Sequence, residues 1–562
     1  MKTDCLPFGL FCKSFLMSLG CWGLCACSDD PLPQWSYTLQ VKSPDVAAYA
    51  AAETGNYEVI SYRTLPENGQ QEPVAWEIIG FDANGDNIFG IEERPDWLKS
   101  LTLEKGAGGK TGETGKAVIV GSAALVDLND FRNNKLKSEP PRGQAGAPYD
   151  LAKHDIKGHE TSLNTANCYV ISAPGLYKLP LVYGNALTDG KENPKSYTSS
   201  AEGNYILTNF VDHAGQPITS PYIALSNEGA NVPKGAKIVW ADERNLVKDL
   251  LIQGEGKDAY LQFSVASEQI RQGNVVVAVT NEKGEVLWSW LLWFAPDDVL
   301  ETTAVTNHKN VVYNFAAEAL GWKYTRYEGT PYARREVRVM VGQTVGKGER
   351  QTAVLTFAQA GFRQGEGTSA LYQWGRKDAF PGTDDIAEGA FEQNAGDKMS
   401  LANSISHPEK FYAWGSSWYN GCNAANYWSA ENTKSDFLDD PIVKTVYDPS
   451  PAGFHVPASN AFTAFTTTGT PAMTREAINA VGEWTAGWHF KADKGHTTFF
   501  PATGLRYRYD GKLYYTGQAG AYWSAIPFMT FGALSLYLDK ASVLPVGCPN
   551  RSYGYAVRPV RD

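Results

Sequence analysis

Apolar and polar residues alternate along much of the chain with the period of a half-buried β-strand. In residues 259–265 the alternation places one face on a core and the other in water. Residues 275–279 and 286–294 are apolar on both faces and flank the turn at 281–284, so they predict a fully buried hairpin. The pattern therefore predicts a chain made mostly of short strands.

Turn signals and changes of composition divide this pattern into segments. Short apolar runs broken by turn dipeptides predict a first β domain at 34–125, and a polar stretch predicts a linker at 126–160. The buried hairpin belongs to a second β domain at 161–298. The aromatic-rich and Gly-rich remainder predicts a loop-rich α+β domain at 299–562. Alternating residues near 335–359 predict a hairpin inserted into this last domain.

The N-terminal residues have the pattern of an export signal. Lys2 and Lys13 precede an apolar stretch at 14–24 that is too short to cross a bilayer stably. Cys27 follows a small residue, as in the lipobox of bacterial lipoproteins. We therefore predict a signal peptide at 1–26 and lipidation of Cys27, which would hold the protein on a membrane through acyl chains. A cleaved signal with an incidental Cys27 is the alternative.

The residues after Cys27 indicate where the lipid anchor lies. The acidic stretch at 28–30 resembles the export tag of surface lipoproteins in Bacteroidetes. This resemblance implies a protein anchored in the outer membrane and exposed at the cell surface.

Charge and cysteine content exclude several classes of partner. The 562-residue chain has a formal net charge of -11 and no run of Lys or Arg, so we expect no nucleic-acid partner. Beyond Cys27 the chain contains Cys168, Cys422 and Cys548, whose spacing fits no zinc or redox motif. A disulfide between Cys422 and Cys548 stays open.

The histidines give little sign of catalysis. None lies in a metalloprotease motif or beside a nucleophile motif, so we name no catalytic residue and predict no cofactor. His154, His159 and Glu160 could bind a metal, but solvated side chains are the favoured interpretation.

One loop has the spacing of a calcium site. Asp82, Asn84, Asp86 and Glu93 stand where such a loop carries its ligands. Asn87 occupies the position of the usual glycine, and the flanking residues predict strands. A hairpin turn is therefore favoured, and we predict no metal site.

Five C-terminal segments form a set of motifs. They read YQWGRKDAFPG at 372–382, VYDPSPAGFHVP at 446–457, FPATGLR at 500–506, AYWSA at 521–525 and GYAVR at 554–558. These segments resemble the Fibrobacter succinogenes major paralogous domain found in Bacteroidetes surface lipoproteins. The resemblance covers about residues 300–562 and implies a fold related to C-type lectins and formylglycine-generating enzymes. Ser450 and Pro559 stand where the family has cysteines, which implies the loss of one disulfide.

A second resemblance completes the predicted fold class. Segments within residues 95–120 are similar to an immunoglobulin-type domain common in gut Bacteroidetes. The resemblances together imply a multidomain, mostly β protein of the fimbrillin-associated type. Its immunoglobulin-like β-sandwich domains would be followed by a loop-rich α+β C-type-lectin-like domain.

A compact, loop-rich domain needs side chains that tie its loops together. An arginine fork satisfies carboxylates or carbonyls efficiently. We therefore expect Arg376, Lys377, Asp378, Arg506 and Arg558 to form ion pairs within the fold.

Aromatic residues in C-terminal loops are the candidate ligand-binding groups. Rings of this type stack on sugars or anchor a protein partner. The candidates are Trp414, Trp418, Tyr419, Tyr507 and Tyr509, together with Tyr514 and Tyr515 of the same turn as the last two. Packing in the core is the alternative for each of them.

The predicted function follows from the anchor and these aromatic residues. Formylglycine-generating enzymes use two closely spaced cysteines, whereas Cys422 and Cys548 lie far apart, so we expect no enzyme activity. We predict a non-catalytic cell-surface lipoprotein that acts as an adhesin, with a glycan or a protein as ligand. A structural or accessory subunit of a fimbria-like assembly is the alternative, and a formylglycine-generating-like enzyme is a remote third.

Overall fold

The computed structural model describes residues 35–562 apart from 122–123, 347–348, 395, 397, 416–417, 419–422 and 433. Strands make up 41 % of the chain and helices 9 %, which confirms the mostly β class. Two compact units are present. The first ends at Gly121 and also takes in Arg334–Ala360, and the second is formed by the other described residues. Within the described ranges, no helix is long and apolar enough to cross a membrane.

Two four-stranded antiparallel sheets form most of the first unit. One contains Ser36–Lys42, Tyr57–Thr64, Gln71–Pro73 and Gly109–Gly115, and the other contains Thr352–Gln359, Arg335–Gln343, Trp76–Asp82 and Lys105–Gly106. A two-stranded pair, Leu98–Leu101 with Ala117–Ile119, and a 3₁₀ turn at Ile91–Glu93 complete it. Alternating side chains from both sheets, among them Tyr57, Trp76 and Val339, form one core.

The hairpin near 335–359 belongs to the first unit, which corrects the prediction that it lies in the C-terminal domain. Arg335–Gln343 pairs antiparallel with Trp76–Asp82, and Val339 lies opposite Phe81. An alternating strand has an apolar face that must be covered, and the pattern does not say by which sheet. Here the first unit supplies that sheet.

Small sheets surround one five-stranded sheet in the second unit. The order of this central sheet is Cys168–Ile171, Val286–Phe294, Gly273–Thr280, Gly235–Ala241 and Glu388–Gly389. The predicted buried hairpin is confirmed, because every residue of Gly273–Thr280 and of Val286–Phe294 is buried. The predicted half-buried strand is also confirmed, because burial alternates along Tyr260–Val265.

The remaining elements of the second unit are short. The four-stranded sheets are Tyr149–Asp150, Gly175–Pro180, Tyr260–Val265 and Lys248–Gln253; Thr302–Thr306, Val312–Ala316, Val560–Arg561 and Phe454–His455; and Tyr372–Gln373, Gly554–Tyr555, Leu505–Arg506 and Leu513–Tyr514. The three-stranded sheets are Arg363–Thr368, Lys323–Gly329 and Val126–Asp127; Ala480–Val481, Gly487–Lys491 and Thr497–Pro501; and Ala519–Phe528, Gly532–Asp539 and Val543–Gly547. Leu187–Thr188 pairs with Lys191–Glu192 in a two-stranded sheet. The α-helices are Leu128–Ser138 and Leu401–Ser406, and the 3₁₀ helices are Leu151–Lys153, Pro194–Ser196, Ile223–Gly229, Gly256–Asp258, Ser459–Phe465, Arg475–Ala477 and Asp493–Gly495.

The predicted second β domain and C-terminal domain share one core. Trp288 of the central sheet lies in the same buried cluster as Trp374. Trp240 Nε1 donates a hydrogen bond to the Ala379 carbonyl oxygen at 2.8 Å. The boundary predicted at residues 298–299 therefore separates no compact units, because large aromatic side chains from both sides bury one another.

The segment at 126–160 is part of this unit, which corrects its prediction as a linker. It contains the helix Leu128–Ser138, and the Asp127 side chain caps the first turn. Arg132 on this helix makes two hydrogen bonds to the Glu318 carboxylate, at 2.8 and 3.1 Å. Leu136 is the one buried residue of this helix, so the composition of the segment is almost as polar as that of a solvated loop.

Candidate functional site

A tight hairpin in the second unit places several tyrosines at the surface. Leu505–Arg506 pairs with Leu513–Tyr514, and Gly511 in the turn has a φ of +68° that glycine adopts without strain. The Arg506 side chain is buried and donates to the carbonyl oxygens of Pro381 and Gly511 at 2.8 Å. The base of the hairpin is therefore fixed by its neighbours, so the turn presents its side chains from a rigid support.

The rings of this hairpin contact one another and form a cluster, the tyrosine cluster, of Tyr507, Tyr509, Tyr514, Tyr515 and Tyr553. Tyr507 lies at the centre, with ring centroids 5.5 Å from Tyr509, 5.3 Å from Tyr514 and 5.6 Å from Tyr553. The outer rings are exposed, at 47 % for Tyr509, 39 % for Tyr514 and 52 % for Tyr515. Exposed and mutually supported rings form a surface that can stack on a ligand.

Tyr515 has a backbone conformation that is costly for a tyrosine. Its φ is +60°, in the left-handed region where bulky side chains are rare. The strain amounts to about 1 kcal/mol. Its carbonyl oxygen accepts hydrogen bonds from the backbone N–H groups of Gln518 and Ala519, which hold the turn in place. The ring is 52 % exposed, so burial of the side chain does not offset this backbone cost.

Polar groups lie among the rings. The Arg508 guanidinium lies 4.5 Å from the Tyr509 ring centroid and 5.6 Å from that of Tyr553. Tyr514 donates to Asp510 at 3.1 Å, and this hydrogen bond raises the pKa of Tyr514, so its phenol stays protonated. The cluster therefore combines apolar ring faces with hydrogen-bonding edges.

The candidate residues divide between surface and core. Tyr507 and Tyr509 lie in the tyrosine cluster, where Tyr507 is half-buried. Trp418 is only 3 % exposed and packs with Met399, so it belongs to the core and not to the predicted binding surface. Trp414 is partly buried against the same small core, and its backbone N–H donates to the Arg508 carbonyl oxygen at 2.6 Å.

Two contributors were outside the sequence prediction, and one candidate lies outside the described residues. Tyr419 is that candidate. Cys27 and Cys422, which the sequence analysis names for other reasons, also lie outside the described residues. Arg508 and Tyr553 are the added contributors. Arg508 stands between two of the predicted tyrosines, which was a usable signal, whereas only the fold brings Tyr553 to them.

The second unit also contains a cleft with a volume of about 1030 Å³. Its charged walls are mostly paired: Lys157 with Glu301 at 2.9 Å, and His455 with Asp562 at 2.6 Å. Lys444 lines the cleft and donates to two backbone carbonyl oxygens, and burial lowers the pKa of its ammonium against the attraction of nearby carboxylates. Charges that are already compensated leave the cleft without a strong preference for a charged ligand.

The histidines weighed as metal ligands make other contacts at this cleft. His154 stacks on Tyr149 at 4.0 Å, and His159 Nδ1 lies 2.8 Å from the Asp155 carboxylate. The stacking contact favours a structural role for His154, whereas the His159 side chain is 74 % exposed.

An acidic group in the first unit is where the described chain could hold a cation. One carboxylate oxygen each from Asp82, Asp86 and Glu93 lies within 4.8 Å of the others. Asp82 accepts hydrogen bonds from the backbone N–H groups of Gly85 and Asn87, as in a tight turn, and pairs with Arg338 at 3.1 Å. The Arg338 guanidinium therefore supplies positive charge to this group from within the unit.

The charged motif residues tie loops together. Asp378 is buried and contacts both Lys377 and Arg376, the latter at 3.3 Å. Burial lowers the pKa of the Lys377 ammonium. Arg558 donates to carbonyl oxygens, including that of Ala316 at 2.6 Å. These groups support the scaffold beneath the surface.

The chain shows no significant match to any protein-family model, any curated protein or any solved structure.

Proposed function

We propose that the protein is a non-catalytic cell-surface lipoprotein that acts as an adhesin, and that it binds a glycan through the tyrosine cluster. The observation that carries this proposal is the group of exposed, mutually supported rings on a hairpin anchored by Arg506. Rigid rings lose little conformational entropy on binding, which makes them efficient contact groups. The strained backbone of Tyr515 supports the same role, because burial of that ring does not offset the strain.

Burial of Cys168 argues against thiol chemistry at that residue, whereas Cys548 is exposed. Cys168 is buried in the central sheet, and burial raises the pKa of its thiol, which keeps it in the unreactive form. A thiol-based enzyme needs the opposite, an accessible thiolate.

The proposed anchor and domain folds follow from the sequence pattern. Cys27 would carry the lipid on the outer membrane, with the two units exposed outside the cell. The two antiparallel sheets of the first unit suit an immunoglobulin-like sandwich, and the loop-rich C-terminal part of the second unit suits a C-type-lectin-like fold. A Cys27→Ala variant should fail to incorporate a palmitate analogue that labels the wild type, and equal labelling of both would contradict the anchor.

Binding can be tested on an array of glycans and host proteins with the mature chain, made soluble by Cys27→Ser. We expect glycan binding that falls about tenfold or more in Tyr509→Ala and in Tyr515→Ala, because each loses a stacking ring. Tyr509→Phe keeps the ring and should keep most of the affinity. Tyr205→Ala is the matched control, since Tyr205 is 48 % exposed on a different segment.

The array outcomes separate the proposed functions. Binding that requires the rings supports a glycan-binding adhesin. Capture of a defined host protein, with no glycan bound, would favour a protein ligand instead. Polymerisation of the mature chain without any ligand would favour a structural or accessory fimbrial subunit. Equal losses in Tyr205→Ala and Tyr509→Ala would contradict the tyrosine cluster as the site.

A further inference from the structure

We infer that the tyrosine cluster selects a glycan with an anionic sugar, and that Arg508 is the group that recognises the negative charge. The inference rests on the proposed function, because it names the ligand class of the same site. It depends on the position of Arg508, on the lack of an internal partner for its charge and on the groups around it.

The guanidinium of Arg508 lies at the surface of the cluster and has donors to spare. Nη2 donates to the Tyr509 hydroxyl at 2.7 Å, and Nε is buried without a hydrogen-bond partner in the described structure. A guanidinium carries five N–H donors in a rigid fork. Nε is buried and Nη2 already donates once, so the donors left for a ligand on the Tyr509 ring are those of Nη1 and the remaining N–H of Nη2.

No carboxylate in the described part of the chain pairs with Arg508. Arg506, two residues earlier, is the opposite case, because it pairs with Asp384 at 3.0 Å and also donates to the Pro381 carbonyl oxygen. The fold therefore pairs the guanidinium of Arg506 with a carboxylate and with carbonyl oxygens, but supplies no carboxylate to Arg508 in the described part of the chain. Arg508 is a half-buried cation whose charge the fold does not compensate.

The carboxylate that lies nearest in sequence is already occupied. Asp510 accepts hydrogen bonds from the backbone N–H of Lys512 at 3.0 Å and from Tyr514 at 3.1 Å. The Lys512 side chain is exposed in the same turn. Two cations and one committed carboxylate give the turn a local positive charge on a protein whose formal net charge is -11. Charges beyond about 10 Å are largely screened in physiological salt, so a bound ligand responds mainly to this local charge.

The chemistry of the site points to an acidic sugar. Planar guanidinium donors match the two oxygens of a carboxylate or two oxygens of a sulfate. The rings on either side of Arg508 offer apolar faces for the pyranose that carries the acid. Sialic acid, hexuronic acid and sulfated sugars share this chemistry, and separate probes distinguish them.

The test measures the affinity of the mature Cys27→Ser chain for four immobilised probes: lactose, sialyllactose, 3′-sulfolactose and a hyaluronan oligosaccharide. We expect at least one acidic probe to bind tenfold or more tighter than lactose, with an affinity that falls as salt is raised. Arg508→Gln should bring that probe to the lactose level. Arg508→Lys keeps the charge but not the fork, so it should be intermediate.

A matched control and a folding check keep the result interpretable. Arg326→Gln removes an exposed arginine on another strand and should leave the affinity unchanged. The melting temperature of each variant reports folding, because Arg508 makes few side-chain contacts whose loss could unfold the unit.

The outcomes distinguish this inference from the proposed function. Equal affinity for lactose and for every acidic probe would overturn the anionic preference and leave glycan binding in place. A folded Arg508→Gln variant with wild-type preference for an acidic probe would also overturn the role of Arg508. Binding to none of the four probes, in a chain that binds no glycan on the array, would overturn both.

Discussion

Replacement of Asp378 by alanine tests whether buried charges hold the second unit together. The Asp378 carboxylate accepts hydrogen bonds from Lys377, from Ser289 at 2.9 Å and from Arg376 at 3.3 Å. The side chains of all three charged residues are at most 2 % exposed. Asp378→Ala therefore leaves two buried cations without their carboxylate.

The expected cost is about 3 kcal/mol of unfolding free energy. Removal of one partner from a buried ion pair costs roughly 3–5 kcal/mol. The lower end applies here, because burial lowers the pKa of Lys377 and the lysine can escape part of the penalty by losing its proton. Lys377→Met is the matched control. It removes a buried charge and leaves the pair between Arg376 and Asp378, so it should cost about 1 kcal/mol or less.

Urea unfolding followed by hydrogen exchange separates the two units. We expect Asp378→Ala to shift the transition of peptides from Val286–Phe294 in the second unit, and to leave those from Tyr57–Thr64 in the first unit unchanged. A cost below 1 kcal/mol for Asp378→Ala would refute the reasoning. An equal cost for Lys377→Met and Asp378→Ala would refute it as well.

The same lysine predicts a pH dependence. Its folded pKa lies below 10.5, so between these two pKa values the unfolded chain binds more protons than the folded one. Stability therefore gains a contribution that rises with pH through this window. The difference in unfolding free energy between wild type and Lys377→Met should change in that direction as pH rises, and a constant difference would contradict the assignment.

Three further predictions concern acid stability, the strained turn and the inserted hairpin. Burial lowers the pKa of His489 to about 4, from 6.5 in the unfolded chain, so stability should fall by up to about 3 kcal/mol as pH falls from 6.5 to 4. Urea midpoints of His489→Phe should lose that dependence, and an unchanged profile would contradict it. Tyr515→Asn should raise stability by about 0.5–1 kcal/mol in thermal melts, because asparagine tolerates positive φ, while it weakens glycan binding; lower stability would refute the strain. Val339→Ala should cost about 2 kcal/mol in the first unit, measured by hydrogen exchange of Tyr57–Thr64, and a loss confined to the second unit would refute the placement of the hairpin.

The strands with a clear local pattern were predictable from the sequence. Tyr260–Val265 and the hairpin strands Gly273–Thr280 and Val286–Phe294 follow directly from their periodicity. Periodicity identifies which face of a strand is buried, but not the sheet that buries it. For that reason the pairing of Arg335–Gln343 with Trp76–Asp82 was beyond the sequence.

The candidate site was predictable only in its residue types. Tyr507 and Tyr509 were identifiable because aromatic residues flank a turn. Trp418 has the same signal, and it is buried because of packing against residues such as Met399. The free donors of Arg508 depend on which carboxylates the fold brings near, and no local pattern encodes that.

The discontinuity of the first unit has a consequence for biogenesis. Its second sheet is incomplete until Thr352–Gln359 has been synthesised, so the unit cannot finish folding while only the residues up to Gly121 have emerged. Until then the edge of Trp76–Asp82 is an open template for pairing with other chains. The residues up to Gly121 must therefore stay incompletely folded while the chain between them and Arg334 is still being synthesised.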